Sequence, residues 1–148
     1  MPDMTQLFIN ALHHLENTGE VDQIAQLFRN GADISNPLVK RVGEGPTGAQ
    51  SFWAAYRAAF KAIRSDFRNV VEGDGVAMLE WVSDGTTTAG PVRYGGVSVL
   101  EYDGARISAF RSYFDPGQIA QSTRAETGAL VQAQKEAAER RKEDGGYQ

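Results

Sequence analysis

The feature that most constrains this chain is the stretch Arg93 to Gln118, RYGGVSVLEYDGARISAFRSYFDPGQ. Two alternating runs, Tyr94–Tyr102 and Ala105–Asp115, flank the dipeptide Asp103-Gly104. A tight hairpin turn needs positive φ, and Asp-Gly accepts it at little cost. The spacing therefore predicts two long antiparallel strands. Pro116 has no N–H to donate and stops further pairing. What precedes this hairpin has to cover its apolar face.

Upstream, Leu7, Phe8, Ala11, Leu12 and Leu15 recur at helical spacing and predict a helix over Thr5–Thr18, closed by Gly19. Val21, Ile24, Ala25, Leu27 and Phe28 predict a second helix over Glu20–Asn30. Ala32–Pro37 reads as a short strand ended by proline. Phe52, Trp53, Tyr56, Ala59, Phe60 and Ile63 line one side of a long helix expected over Thr47–Arg64, with Thr47 and Gln50 in capping-box spacing. Strands follow at Asp66–Glu72 and Val76–Ser83, joined through Asp74-Gly75. The polar stretch Asp84–Val92 is either a loop or a bulged continuation of the strand before it. Helices first and antiparallel strands afterwards imply an α+β fold, with helices on one face of a curved sheet. Gln118–Lys142 is expected to be a polar helix anchored by Ile119, Leu130 and Val131, its Glu139–Asp144 end solvated and disordered. The expected division is a domain over 1–118 and a tail over 119–148.

Composition narrows the function classes. At 148 residues and 41% hydrophobic, the chain suits one domain with an ordinary core. A net charge of −4 argues against a general affinity for nucleic acid. With no cysteine, disulfides, thiolate metal sites and cysteine nucleophiles are excluded. No basic leader and no run of roughly 20 apolar residues is present, so a cytoplasmic protein without membrane contact is expected. His13 and His14 lie off the apolar side of the first helix and read as surface groups; no metal site and no cofactor is expected. Gly31, Gly73, Gly75 and Gly104 read as turn glycines, and no phosphate-binding loop is seen.

Several segments resemble the nuclear transport factor 2-like superfamily. Thr18-Gly19-Glu20-Val21-Asp22 with Leu27-Phe28 resembles its helix–helix corner, and Asn36-Pro37 its next segment. Gly96-Val97-Ser98-Val99-Leu100-Glu101-Tyr102-Asp103-Gly104-Ala105-Arg106-Ile107, followed by Arg111-Ser112-Tyr113-Phe114-Asp115-Pro116, is similar to the closing hairpin of the polyketide-cyclase-like (SnoaL-like) branch. The resemblance covers residues 5–118. It implies a cone: a strongly curved mixed or antiparallel sheet wrapped round three N-terminal helices, a cystatin-like roll with one deep pocket. It also implies a homodimer through the outer sheet face. The fold hosts isomerases, cyclases, hydrolases and non-enzymatic domains, so it does not choose a reaction.

The family's catalytic groups do not carry over. Ketosteroid isomerases of this fold use an Asp base before a proline, with a Tyr and a protonated Asp. Those positions hold Asn36, Leu12 and Ser98. An amide cannot abstract a proton at neutral pH. Epoxide-hydrolase-like members use an Asp-Arg-Asp set with Asn and Tyr around a water. Here the acid falls at Ser112, the Arg and second Asp at Trp81 and Ser83, the Asn at Asn36, and the Tyr at Ile34. The cyclase Asp also falls at Ser112.

The strand phase places Ile34, Asn36, Leu79, Trp81, Ser83 and Gly96 inward, with Ser98, Phe110, Ser112 and Phe114. Helices add Phe8, Leu12, Trp53, Tyr56 and Phe60. This describes an apolar cavity with neutral hydrogen-bonding groups, suited to a small lipophilic molecule. The expected ligand-binding set is Ile34, Asn36, Trp53, Tyr56, Trp81, Ser83, Ser98, Phe110 and Ser112, each of which could instead be plain core. Asn36 could equally form a turn before Pro37. Asn36, Tyr56 and Ser112 are the candidates for any catalytic role. No His stands beside the serines, which disfavours a serine nucleophile. Glu80, Glu101, Arg111, Tyr113 and Asp115 fall on the outer sheet face with Met78, Val82, Val97 and Val99.

Three readings compete. The first is a hydrophobic-ligand-binding cone with weak or unidentified activity. The second is an isomerase-, cyclase- or hydrolase-type enzyme with a displaced carboxylate, for which Asp33, Glu44 and Asp84 are candidates. The third is a non-enzymatic dimerisation domain that uses its tail as the contact.

Overall fold

The structure, a computed structural model, describes residues 3–38 and 48–119. Helix α1 runs Met4–Thr18. The Asp3 side chain caps its start by accepting from the Gln6 N–H, and Gly19 closes it at φ 81°. Next come α2 (Asp22–Ala25), β1 (Phe28–Ser35), α3 (Gly48–Ala58), β2 (Ala62–Glu72), β3 (Val76–Thr87), β4 (Gly90–Asp103) and β5 (Arg106–Phe114). The sheet order is β1-β5-β4-β3-β2, with β1 parallel to β5 and the other pairs antiparallel. This is the mixed α+β architecture expected.

Three element boundaries differ from the sequence reading. The second helix is a single turn, because Phe28 already belongs to β1. The Ile107 N–H donates to the Leu27 carbonyl at 2.7 Å, and Phe28 pairs with Ile107. Sheet pairing and burial of Phe28 outweigh the helical spacing. Helix α3 ends at Ala58, and Ile63 lies on β2, paired with Gly85. A side chain at Gly85 would approach the Ala62 carbonyl to 2.6 Å, so only glycine lets β2 run this close. The stretch 84–92 continues β3 to Thr87 without a bulge, turns at 88–89 and starts β4: the two strands stay in unbroken register from Val76↔Glu101 to Thr87↔Gly90. The Thr47 cap, and all of the tail beyond Ile119, lie outside the described residues.

The core sits between α1, α3 and the inner sheet face. Phe8, Leu12, Leu15, Ile34, Leu79, Leu100, Ile107 and Phe110 are all buried there. Helix α1 is pinned to β2, the edge strand on its side of the sheet. Near one end Thr5 Oγ1 donates to Glu72 at 2.7 Å. Near the other, the backbone of Ser65 turns its hydrogen-bonding groups away from β3. Its N–H donates to Glu16 Oε1 at 3.0 Å, and its carbonyl lies 3.0 Å from His13 Nε2. One helix turn thus does for Ser65 what a neighbouring strand would do. His13 is therefore half-buried, with its ring 5.8 Å from that of Phe67, and is not the surface group the sequence suggested. His14 is likewise half-buried, 2.8 Å from Glu20.

Candidate functional site: an aromatic cavity backed by a buried carboxylate

The alternation of β2 to β5 turns one row of side chains towards α1 and α3. Between them lies a cavity of about 290 Å³. That is close to the lower end of the roughly 300–1,000 Å³ typical of small-molecule sites. Ten of the residues that line the cavity are aromatic: Phe8, Phe52, Trp53, Tyr56 and Phe60 before the sheet's long strands, and Phe67, Trp81, Tyr94, Phe110 and Phe114 on β2 to β5. Many meet edge to face, as in Trp53–Phe110 at 5.1 Å and Trp81–Tyr94 at 5.4 Å.

Of the residues expected to bind ligand, Asn36, Trp53, Tyr56, Trp81, Ser83, Ser98, Phe110 and Ser112 line this cavity. Ile34 does not: it is fully buried in the core beneath. Asn36 stands half-exposed at the rim, where its Oδ1 accepts the Leu38 N–H at 2.8 Å. The turn anticipated around Pro37 is therefore present, and Asn36 lines the cavity as well. Gly96 leaves room for the Trp81 ring. A Cβ there would collide with the Tyr113 carbonyl oxygen and sit 2.8 Å from Trp81 Cζ2.

The polar groups form two clusters. In the first, Trp81 Nε1 donates to Ser98 Oγ at 2.9 Å, and Ser98 Oγ lies 2.7 Å from Ser112 Oγ. In the second, Glu16 is only 4% exposed. It accepts the Tyr56 hydroxyl at 2.7 Å, the Ser65 hydroxyl at 2.6 Å and the Ser65 N–H at 3.0 Å. Ser65 Oγ is in turn 2.6 Å from Ser83 Oγ. Glu16 is not itself part of the cavity wall, but Tyr56, Ser65 and Ser83 are. None of the ion pairs among the described residues involves it. Three hydrogen bonds take the place of a cation.

Glu16 corrects the expectation that the hollow is served only by neutral groups. Its position was legible: Phe8, Leu12 and Glu16 follow at intervals of four, on one helix face. Ser65 was missed because the helix was drawn too long. Tyr94 shares the strand parity of Gly96 and Ser98. Burial, and then the negative charge of Glu16, push the Tyr56 hydroxyl well above its ordinary pKa, and Tyr94 is raised for the same two reasons in the same order. Both phenols stay neutral across the physiological range. Trp53 Nε1 is buried without a hydrogen-bond partner among the described residues.

Of the displaced acids suggested from sequence, the two among the described residues, Asp33 and Asp84, do not line the cavity. Asp33 is exposed and forms no part of the wall. Asp84 is exposed and paired with Arg93 at 2.8 Å. Glu44 lies outside the described residues. On the outer face Glu101 pairs with Arg111 at 2.6 Å, Glu80 accepts from Asn69, and Asp115 accepts the Gly117 N–H. Val99, expected on that face, is buried.

Residues 9–110 match the SnoaL-like domain. The chain belongs to that family. Solved structures with the same fold include an NTF2-like protein from Anabaena variabilis, with TM-score 0.71 and 15% identity over 78% of this chain and 90% of that one. A protein from Acidithiobacillus ferrooxidans assigned as a polyketide cyclase gives TM-score 0.71 and 14% identity over 84% of this chain and 96% of that one. An LEH-like epoxide hydrolase from Mycobacterium tuberculosis gives 0.68 and 16% over 88% and 98%. At such identities the likeness is one of fold. No curated protein matches. Among the described residues no helix of this SnoaL-like protein is long and apolar enough to cross a membrane.

Proposed function

We propose that this SnoaL-like protein binds a small, largely apolar molecule in the cavity between α1, α3 and the sheet. The observation that carries this reading is the lined volume itself: an aromatic-rich wall that carries two compact polar clusters. Such a wall favours a lipophilic body through area burial, and the clusters orient its polar ends. Trp53 and Trp81 both belong to the wall, so a bound lipophile should change tryptophan emission saturably. A flat titration across a chemically broad panel of aromatic and terpenoid probes would remove the reading.

A second reading, turnover of the isomerase, cyclase or hydrolase kind, is favoured by Glu16. A ligand O–H can pass its proton to Ser83 Oγ while Ser83 passes its own to Ser65 and Ser65 to Glu16. The net charge is unchanged: the carboxylate becomes neutral and the ligand takes the negative charge. Under this reading Glu16→Gln loses turnover even at saturating ligand. An active Glu16→Gln enzyme would exclude the relay.

We further propose a homodimer through the outer sheet face, where Val71 (65% exposed), Met78 (50%) and Tyr113 (57%) stand out of the sheet as apolar surface beside charged pairs. Sedimentation as a monomer at micromolar concentration would dismiss it.

A further inference from the structure

Hydroxyl hydrogens can be counted, and the count differs at the two ends of the cavity. At the Glu16 end, the Tyr56 and Ser65 hydroxyls both donate to the carboxylate, which has no hydrogen to return. With the Ser65 hydrogen committed, the 2.6 Å contact to Ser83 can be made only by the Ser83 hydrogen. All three hydrogens thus point towards Glu16, and what remains for a ligand is lone pairs on Tyr56 and Ser83. At the other end the count leaves one over. Trp81 Nε1–H, Ser98 O–H and Ser112 O–H supply three hydrogens, and the two contacts between them consume two. One serine hydroxyl keeps a hydrogen to give. Tyr94, opposite Ser83 in the sheet register, makes no hydrogen bond among the described residues, so its hydroxyl can serve either way.

We propose that the cavity is polarised, with acceptors at the Tyr56–Ser83 end and a donor at the Ser98–Ser112 end. The ligand class it selects is then an apolar skeleton with an O–H or N–H at one end and a carbonyl or ether oxygen at the other. The inference rests on the cavity-binding reading above and names its substrate class. Sheet register sets the length. Ser83 pairs with Tyr94, and Ser98 lies four residues further along β4, opposite Ser112. The two ends are separated by roughly 13 Å of strand, enough for a two-ring skeleton with its polar groups at opposite ends.

Glu16→Gln tests the polarity directly. The amide oxygen still accepts the Ser65 N–H, while the amide NH2 now donates to Tyr56 and to Ser65 Oγ. The Ser65 hydrogen then passes to Ser83, and the Tyr56 and Ser83 hydrogens turn into the cavity. The probes are an acetyl-naphthol with its two groups on opposite rings and the methyl ether of the same compound, titrated by tryptophan fluorescence. The wild-type protein should bind the naphthol about tenfold or more tighter than the ether, because the ether leaves buried acceptors unpaired. In Glu16→Gln that ratio should fall to about one or invert. Tyr94→Phe removes the hydroxyl that can serve either way, so it should raise the ratio; it decides the matter if Glu16→Gln does not fold by circular dichroism. An unchanged ratio in folded Glu16→Gln, or a ratio near one in both wild type and Tyr94→Phe, overturns the polarity while binding itself stands. If neither probe binds the wild type, the cavity-binding reading falls and takes this inference with it.

Discussion

Replacing Glu16 separates two opposed effects of a buried carboxylate. Its burial without a cation is costly, and apolar replacements of buried charges are often neutral or stabilising. Against this, Glu16 accepts the Ser65 N–H, which faces away from β3 at the sheet edge. In Glu16→Leu the Tyr56 and Ser65 hydroxyls can turn towards the cavity and meet water there. The Ser65 N–H cannot turn, and a buried unpaired donor costs about 1–3 kcal/mol. Glu16→Ala adds an unfilled volume, so its cost should reach about 2–4 kcal/mol. Glu16→Gln keeps one acceptor and two rotatable partners and should stay within about 1 kcal/mol of wild type. Guanidinium unfolding at constant m-value gives the three figures. Amide exchange at Ser65 gives an independent readout: slow in wild type and Gln, fast in Leu. A Leu variant as stable as wild type, with Ser65 still protected, would refute the capping argument.

Two further outcomes follow from the packing around the cavity. Gly96→Ala should cost about 2–4 kcal/mol, through overpacking and displacement of Trp81 from Ser98. A thermal melt within 2 °C of wild type would show that the strands yield easily. Tyr56 and Tyr94 have folded pKa values raised above the unfolded value of about 10, so their contribution is complete below that pH and is lost as pH rises, by about 1.4 kcal/mol per unit for each. Absorbance titration of the five tyrosines should show two that resist ionisation until the protein unfolds; a single midpoint near 10 for all five would contradict the burial.

Much of the fold was legible because its signals are short-range or strictly periodic. Asp103-Gly104 marks the last hairpin, and alternation put Trp81, Ser83, Ser98 and Ser112 on the inner face, where they are. What failed was long-range. Leu27 and Phe28 extend a helical pattern, yet β5 recruits them into the sheet, and no local property announces that. Glu16 was overlooked because a charged residue on an apolar helix face is usually set aside as an edge position. Its partners Tyr56 and Ser65 are 40 and 49 residues away, so only the assembled fold shows that it is paired. The customary acid positions of the family were read from strands, whereas this carboxylate comes from a helix.

The way α1 closes over Ser65 also bears on how the chain avoids joining its neighbours. Until that helix docks, β2 is a bare strand able to recruit another molecule; afterwards the site is taken from within. Substitutions that loosen the first helix while sparing the hairpins, at His13 or Glu16, are therefore those under which self-association should begin, and it should begin along this side of the sheet.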